Sequence, residues 1–142
     1  MLVDDSYNLQ RFLSAQAPVI EQVHAELRGG RKHGHWMWFV FPQIVGLGHS
    51  DLARKYAIAS LDEGRAYAAH EILGLRLREC AALVVAVEGR SIGQIFGTPD
   101  DLKFRSSMTL FARAAPQEPV FQEALQKYFG GECDPLTLEK IS

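Results

Sequence analysis

Arg31, Lys32, His33 and His35 follow a double glycine, Gly29-Gly30, and run directly into six large apolar residues, Trp36 to Phe41. A glycine-rich backbone can turn N–H groups toward an anion, and Arg and Lys add charge, so this loop has the composition of an anion-binding site. It is not a P-loop, because G-x-x-x-x-G-K-[ST] is absent. The competing reading is a solvated basic turn at a helix C-terminus, where cations are favoured anyway. His33 and His35 form H-x-H, but no third ligand is evident and there is no H-E-x-x-H or paired C-x-x-C, so no metal is expected. His35 is expected to be anchored by a hydrogen bond at the edge of the core, and His35 or His49 is a candidate for moving a proton near neutral pH. Trp36 or Trp38 offers a plane for stacking on a ligand, and Gln43 closes the block with a polar amide.

Two further clusters carry polar chemistry. Gly46-Leu-Gly-His49-Ser50 precedes a helix, and free N–H groups at such a start accept phosphate or carboxylate. The third glycine and the βαβ context of a dinucleotide fingerprint are missing, and a plain turn with Ser50 as N-cap explains the same residues. Asp100, Asp101, Lys103, Arg105, Ser106, Ser107 and Thr109 stand on an otherwise apolar helix. Asp101 and Arg105 are one turn apart, so they are expected to pair, and a desolvated Arg needs a carboxylate or a ligand anion. The alternative is an internal salt-bridge and hydroxyl network that fixes helix packing.

These residues must be held by helices. Asp4 or Asp5 is placed to cap a helix carrying Leu9, Phe12, Leu13 and Gln16. Pro18 suits the first position of the next, with Val19, Ile20, Val23 and Leu27 as its apolar stripe and Gly29-Gly30 as its end. Ser50 caps a helix through Tyr56, and Ser60-Leu-Asp-Glu63 has capping-box spacing. Ile72 to Val87 reads as a longer helix stopping at Gly89. Thr98-Pro-Asp-Asp101 reads as a helix start with Thr98 as cap, leading into Leu102 to Ala115, apolar nearly all round and therefore buried. Phe121 to Phe129 forms the next stripe, closed by Gly130-Gly131, and Asp134-Pro135 opens a final short turn. Trp36 to Phe41 is too apolar to alternate, and no partner strand stands out elsewhere. A lone strand leaves its backbone unsatisfied, which argues for a short buried helix.

The whole chain sets the bounds. At 142 residues and 47% hydrophobic it fits one domain with a core of its own. The expectation is a mainly α, compact domain over residues 1–142, of six to eight packed helices around a short buried aromatic segment. A net charge of −2 makes nucleic acid an unfavoured partner. No apolar run reaches the roughly 20 residues that span a bilayer, so no membrane partner is expected. Cys80 and Cys133 do not make a disulfide framework and no leader is evident, which points to reduced thiols in the cytoplasm. Cys80 reads as core, and Cys133 lacks a nearby histidine to make it a nucleophile.

Asn8-Leu-Gln-Arg-Phe12 with Ala15-Gln16, Gly30-Arg-Lys, His35-Trp-Met-Trp-Phe, Phe41-Pro-Gln43, Gly46-Leu-Gly48 with Ser50, Phe96-Gly97, Asp100-Asp-Leu-Lys103, Ser106-Ser-Met-Thr-Leu-Phe111 and Tyr128-Phe-Gly-Gly131 together resemble the uncharacterised family DUF1810. The resemblance spans nearly the whole chain. It implies a single, mainly helical domain and no established activity. The label calpastatin, sometimes attached to the family, does not suit this compact aromatic sequence.

The functional expectation is a pocket for a small anionic or phosphate-bearing ligand, with or without catalysis and without a cofactor. The residues expected to bind it are Arg31, Lys32, His35, Trp36, Trp38, Gln43, His49, Ser50, Asp101, Lys103, Arg105 and Ser106. The alternative is a non-catalytic module that takes a protein partner in a helical groove, which would use exposed aromatics as anchors.

Overall fold

The computed structural model describes residues 5–142. Ten helices follow one another among the described residues: α1 Gln10–Gln16, α2 Ile20–Arg28, α3 Met37–Val40, α4 Asp51–Lys55, α5 Leu61–Ala69, α6 Glu71–Ala86, α7 Ile92–Phe96, α8 Asp100–Ala114, α9 Pro119–Phe129 and α10 Pro135–Ile141. Seven of them have seven or more residues, and α3, α4 and α7 are single turns. Helix α8 is the central element, packed against α5, α7, α9 and α10, while α6 packs against α2, α5 and α9. Its buried residues, Phe104, Ser106 to Phe111 and Ala114, lie on more than one face, as its composition requires.

The aromatic block is the short buried helix expected. Its backbone is satisfied locally, with Val40 N–H donating to Trp36 O and Phe41 N–H to Met37 O. Gln16, itself buried, donates its amide to Phe39 O at 2.6 Å and to the Tyr67 hydroxyl at 2.9 Å. Trp36, Met37, Val40 and Phe41 enter the core, whereas Trp38 and Phe39 are partly buried. Phe41 meets Phe104 edge-on at 5.0 Å, and Phe96 stacks on Phe104 at the same distance. Such pairs add roughly 0.5–1.5 kcal/mol beyond area burial. They tie α3 and α7 to α8.

Beyond α3, Ile58 N–H donates to Gln43 O and Val45 N–H to Ile58 O, both at 2.8 Å, forming an isolated parallel bridge. This bridge fixes the backbone on which Gln43 stands. Arg11 adds a second tie. Its guanidinium donates to the carbonyls of Tyr7, Asn8, Lys55 and Ala57 and to Glu63 Oε2. That fork geometry joins the N-terminal turn, the segment after α4 and the start of α5.

Most helix ends match their sequence signals, but not all. Asp5 accepts from the N–H groups of Leu9 and Gln10 and so serves α1, while Asp4 lies outside the described residues. Pro18 sits inside a turn closed by Val19 N–H to Gln16 O, and α2 begins two residues later. Ser60 caps α5, but Glu63 does not reach back to it, because Arg11 and Ala59 N–H claim its carboxylate. Thr98 does not cap α8. The backbone carbonyls of Gly97 and Pro99 take the first-turn N–H groups, and the Thr98 hydroxyl donates to Asp101. Helix α7, with its Ser91/Gln94 capping box, is an element the periodicity reading does not contain. Helix α6 ends at Ala86, ahead of Gly89, and its last carbonyls are taken by Lys127 and Tyr128 from α9.

Candidate functional site

The basic loop between α2 and α3 is built around one carboxylate. Glu26 Oε1 accepts from His33 N–H at 2.7 Å, Gly34 N–H at 2.9 Å and the Trp36 indole N–H at 2.9 Å. Its other oxygen accepts from Gln22 at 2.7 Å. Burial alone would push this carboxyl up. The hydrogen bonds from Gly34, His33, Gln22 and Trp36 outweigh burial and hold it down at about 2. The glycine-rich loop does turn N–H groups toward an anion, but that anion is the protein's own. His33 and His35 are left exposed, so His35 is not anchored at the core edge as expected.

Lys32 leads out of this loop to α8. Its Nζ lies 2.8 Å from Asp100 Oδ2 and 5.2 Å from the centre of the Trp36 ring, with 8% of its side chain exposed. Asp100 stands in the first turn of α8, where the helix dipole favours a carboxylate. Its second oxygen faces Lys103 Nζ at a looser 3.5 Å. Lys103 Nζ in turn lies over the Trp38 ring, 5.3 Å from its centre. One carboxylate therefore serves two ammonium groups, and each ammonium lies over a tryptophan.

Arg105 does not pair with Asp101. It donates from Nε to Glu132 O at 3.0 Å and from Nη2 to Cys133 O at 2.9 Å, with the Glu132 carboxylate 3.6 Å away. The guanidinium reaches past its own helix because the α9–α10 turn offers carbonyls that no backbone N–H takes. Its neighbours do the same work. Ser106 donates to Asp134 Oδ2 at 3.1 Å, and Thr109 Oγ1 accepts from Asp134 N–H at 2.9 Å. The polar stripe of α8 is thus a clamp on residues 132–137.

Two hollows lie on either side of the Lys32–Asp100–Lys103 row. A cavity of about 530 Å³ is lined by Gln43, Leu47, Gly48, Pro99, Leu102, Lys103, Arg105, Ser106, Asp134 and Leu136. Beside it, a narrow slot shares Gln43, Gly48 and Lys103 and adds Trp38, Phe41 and Tyr56. The second hollow, about 400 Å³, is lined by Arg31, Lys32, Arg90, Gln94 and the backbone around Gly97. The expected binding residues therefore divide. Trp38, Gln43, Lys103, Arg105 and Ser106 come together at the first cavity and its slot, and Arg31 and Lys32 at the second. Trp36 is buried, and Asp101 bonds Thr98. His49 and Ser50 are exposed, with Ser50 capping α4 through Ala53 N–H. The glycines before them answer to packing. A Cβ on Gly48 would lie 2.6 Å from that of Ala53, and one on Gly46 2.8 Å from Lys140 Nζ.

The model of a family described as a protein of unknown function, DUF1810, matches residues 6–141. The chain belongs to the DUF1810 family. It is also similar to the conserved hypothetical protein Rv1873 from Mycobacterium tuberculosis, seen in a crystal structure. The two are 57% identical over 96% of this chain and 98% of that one, with a TM-score of 0.95. No curated protein matches.

In this DUF1810 chain, sequence reasoning passed over Glu26, Arg90 and Gln94. Glu26 is one polar residue on an amphipathic helix, and nothing in its spacing marks it as the partner of a loop seven residues later. Gln94 had a usable signal, since Ser91-Ile-Gly-Gln94 is a capping box. Arg90 is brought to the hollow by the turn after α6. Among the described residues, no group of three or more His, Cys, Asp or Glu side chains is placed to hold a metal. Cys80 is buried and its thiol is pushed up to about 12 by burial, and Cys133 is unpaired. No helix among the described residues is long and apolar enough to cross a membrane.

Proposed function

We propose that the DUF1810 chain binds a small anionic ligand in the cavity between Gln43, Lys103, Ser106 and Leu136. One observation carries the reading. Lys103 stands over Trp38 where cavity and slot meet, and its one carboxylate partner among the described residues, Asp100, is held closer by Lys32. The Lys103 charge is therefore only partly compensated, which favours a carboxylate or phosphate beside a low-dielectric wall. The volume lies in the usual range for small-molecule sites, and a few polar groups among apolar ones are how such sites orient a ligand. Gln43 and Ser106 supply those groups, while Leu47, Pro99, Leu102 and Leu136 supply the apolar wall. Arg105 contributes by holding the wall in place, since its Nε and Nη2 are engaged by the α9–α10 turn. Free thiols at Cys80 and Cys133 support a cytoplasmic setting.

The test is a thermal-shift screen with sugar phosphates, nucleotides and carboxylates. A ligand at a hundred times its dissociation constant should stabilise the chain by about 2.7 kcal/mol. Lys103→Gln should keep the fold and abolish that response. An undiminished response in Lys103→Gln would overturn the reading.

A second reading, a groove for a protein partner, has its own support. Leu102 and Leu136 are the two most exposed of the large exposed apolar residues and both stand at this cavity. The burial of Trp36 removes one of the aromatic anchors that reading called for.

A further inference from the structure

We infer that the hollow between Arg31 and Arg90 is a second, separate site, for a phosphate dianion carried as inorganic phosphate or as a phosphomonoester. Among the described residues, three cations line it and no carboxylate does. Lys32 is matched by Asp100, which leaves the two guanidinium groups. Among the described residues, neither the Arg31 nor the Arg90 side chain makes a hydrogen bond or an ion pair. Arg113 also lines a cavity, but among the described residues it is the only charged side chain there.

The fold holds the Arg90 stem and the Arg31 backbone in place. A Cβ on Gly30 would lie 3.2 Å from Arg90 Cδ and 3.3 Å from its Nε, so the Arg90 stem lies along the backbone next to Arg31. Gly30 has φ +75°, a conformation that glycine adopts without strain, and its lack of a side chain is what admits Arg90. Arg31 N–H is bound to Glu26 O and Lys32 N–H to Ile95 O. The backbone on both sides of the hollow is thus pinned. Gln94 uses its carbonyl oxygen on Ser91 N–H at 2.8 Å, which orients its amide and leaves the nitrogen as a donor.

The chemistry selects phosphate over carboxylate. Two guanidinium forks without a protein counter-charge present two positive charges, and a phosphate group carries roughly −1.5 to −2 near neutral pH. Its oxygens accept paired N–H donors from Arg in a way that a single carboxylate shared by two forks does not. A hollow of about 400 Å³ also has room for an organic group beside the phosphate.

The experiment is isothermal titration of the full chain, at low ionic strength, with inorganic phosphate and with glycerol 3-phosphate, each against acetate as control. Both phosphates should bind more tightly than acetate. Tighter glycerol 3-phosphate binding would identify a phosphomonoester as the ligand, and equal binding would identify the bare ion. The double variant Arg31→Gln/Arg90→Gln should weaken phosphate binding by about tenfold or more with an unchanged melting temperature, because both side chains are exposed. Arg90→Lys should recover only part of the affinity, since a point charge does not reproduce the fork. Absence of phosphate binding, or equal affinity in the double variant, would overturn the proposal.

Discussion

Glu26 does for the basic loop what a bound anion would do, and this makes the loop sensitive to acid. Its folded pKa, about 2, lies below the ordinary value of 4.5, so the unfolded chain binds the proton more readily. The stability Glu26 contributes is therefore fully present above pH 4.5 and is lost as pH falls from there toward 2. In Glu26→Gln the fall in stability across that window should be shallower, measured by denaturant titration at a series of pH values. An identical pH profile in the variant would show that the loop does not depend on the charge. At this scale the sequence shows which residues have the chemistry, but not which groups they face. Asp101 and Arg105 are correctly spaced for a helix pair. Arg105 is long enough to reach the α9–α10 turn instead, and tertiary packing decides between the two. The two halves of a Glu26 contact are separated by a turn and a change of direction, so no local rule connects them.

Elements are more legible in the sequence than partners, because helix stripes and caps are local. Helices α2, α6, α8 and α9 and the caps Ser50 and Ser60 are all present in the structure, although α6 leaves Ile72 and Leu75 exposed and buries Leu73 and Leu77 instead. The failures occur where a long-range group intervenes, as when Arg11 takes Glu63 away from the capping box, or where backbone alone fills the cap, as at Thr98. Asp134 shows how far a cap can matter. One oxygen, Oδ2, accepts from Thr137 N–H, from the Thr137 hydroxyl and from Ser106 on α8. It both starts α10 and docks it. Asp134→Ala should weaken the attachment of α10 by about 1–3 kcal/mol, the range for losing a cap and leaving its partners unpaired. Hydrogen exchange should then speed up in the α10 amides and remain slow in α6. Uniform acceleration throughout the chain would show that α10 does not open as a separate unit.

At the scale of the whole molecule, one row of charges lies between two hollows, and the residues that looked like one site in the sequence belong to both. That division follows from α3. The single buried turn places Trp36 on the Lys32 side and the partly buried Trp38 on the Lys103 side, although the two are only two residues apart. The chain thus carries two intrinsic fluorophores that report on different surroundings. Iodide, an anion drawn toward Lys103, should quench the Trp38 share of the emission and leave the Trp36 share, giving a downward-curving Stern–Volmer plot. A ligand in the neighbouring cavity should straighten that plot by shielding Trp38, whereas phosphate held at Arg31 and Arg90 should leave it curved. Each hollow can therefore be read separately by light, without a label.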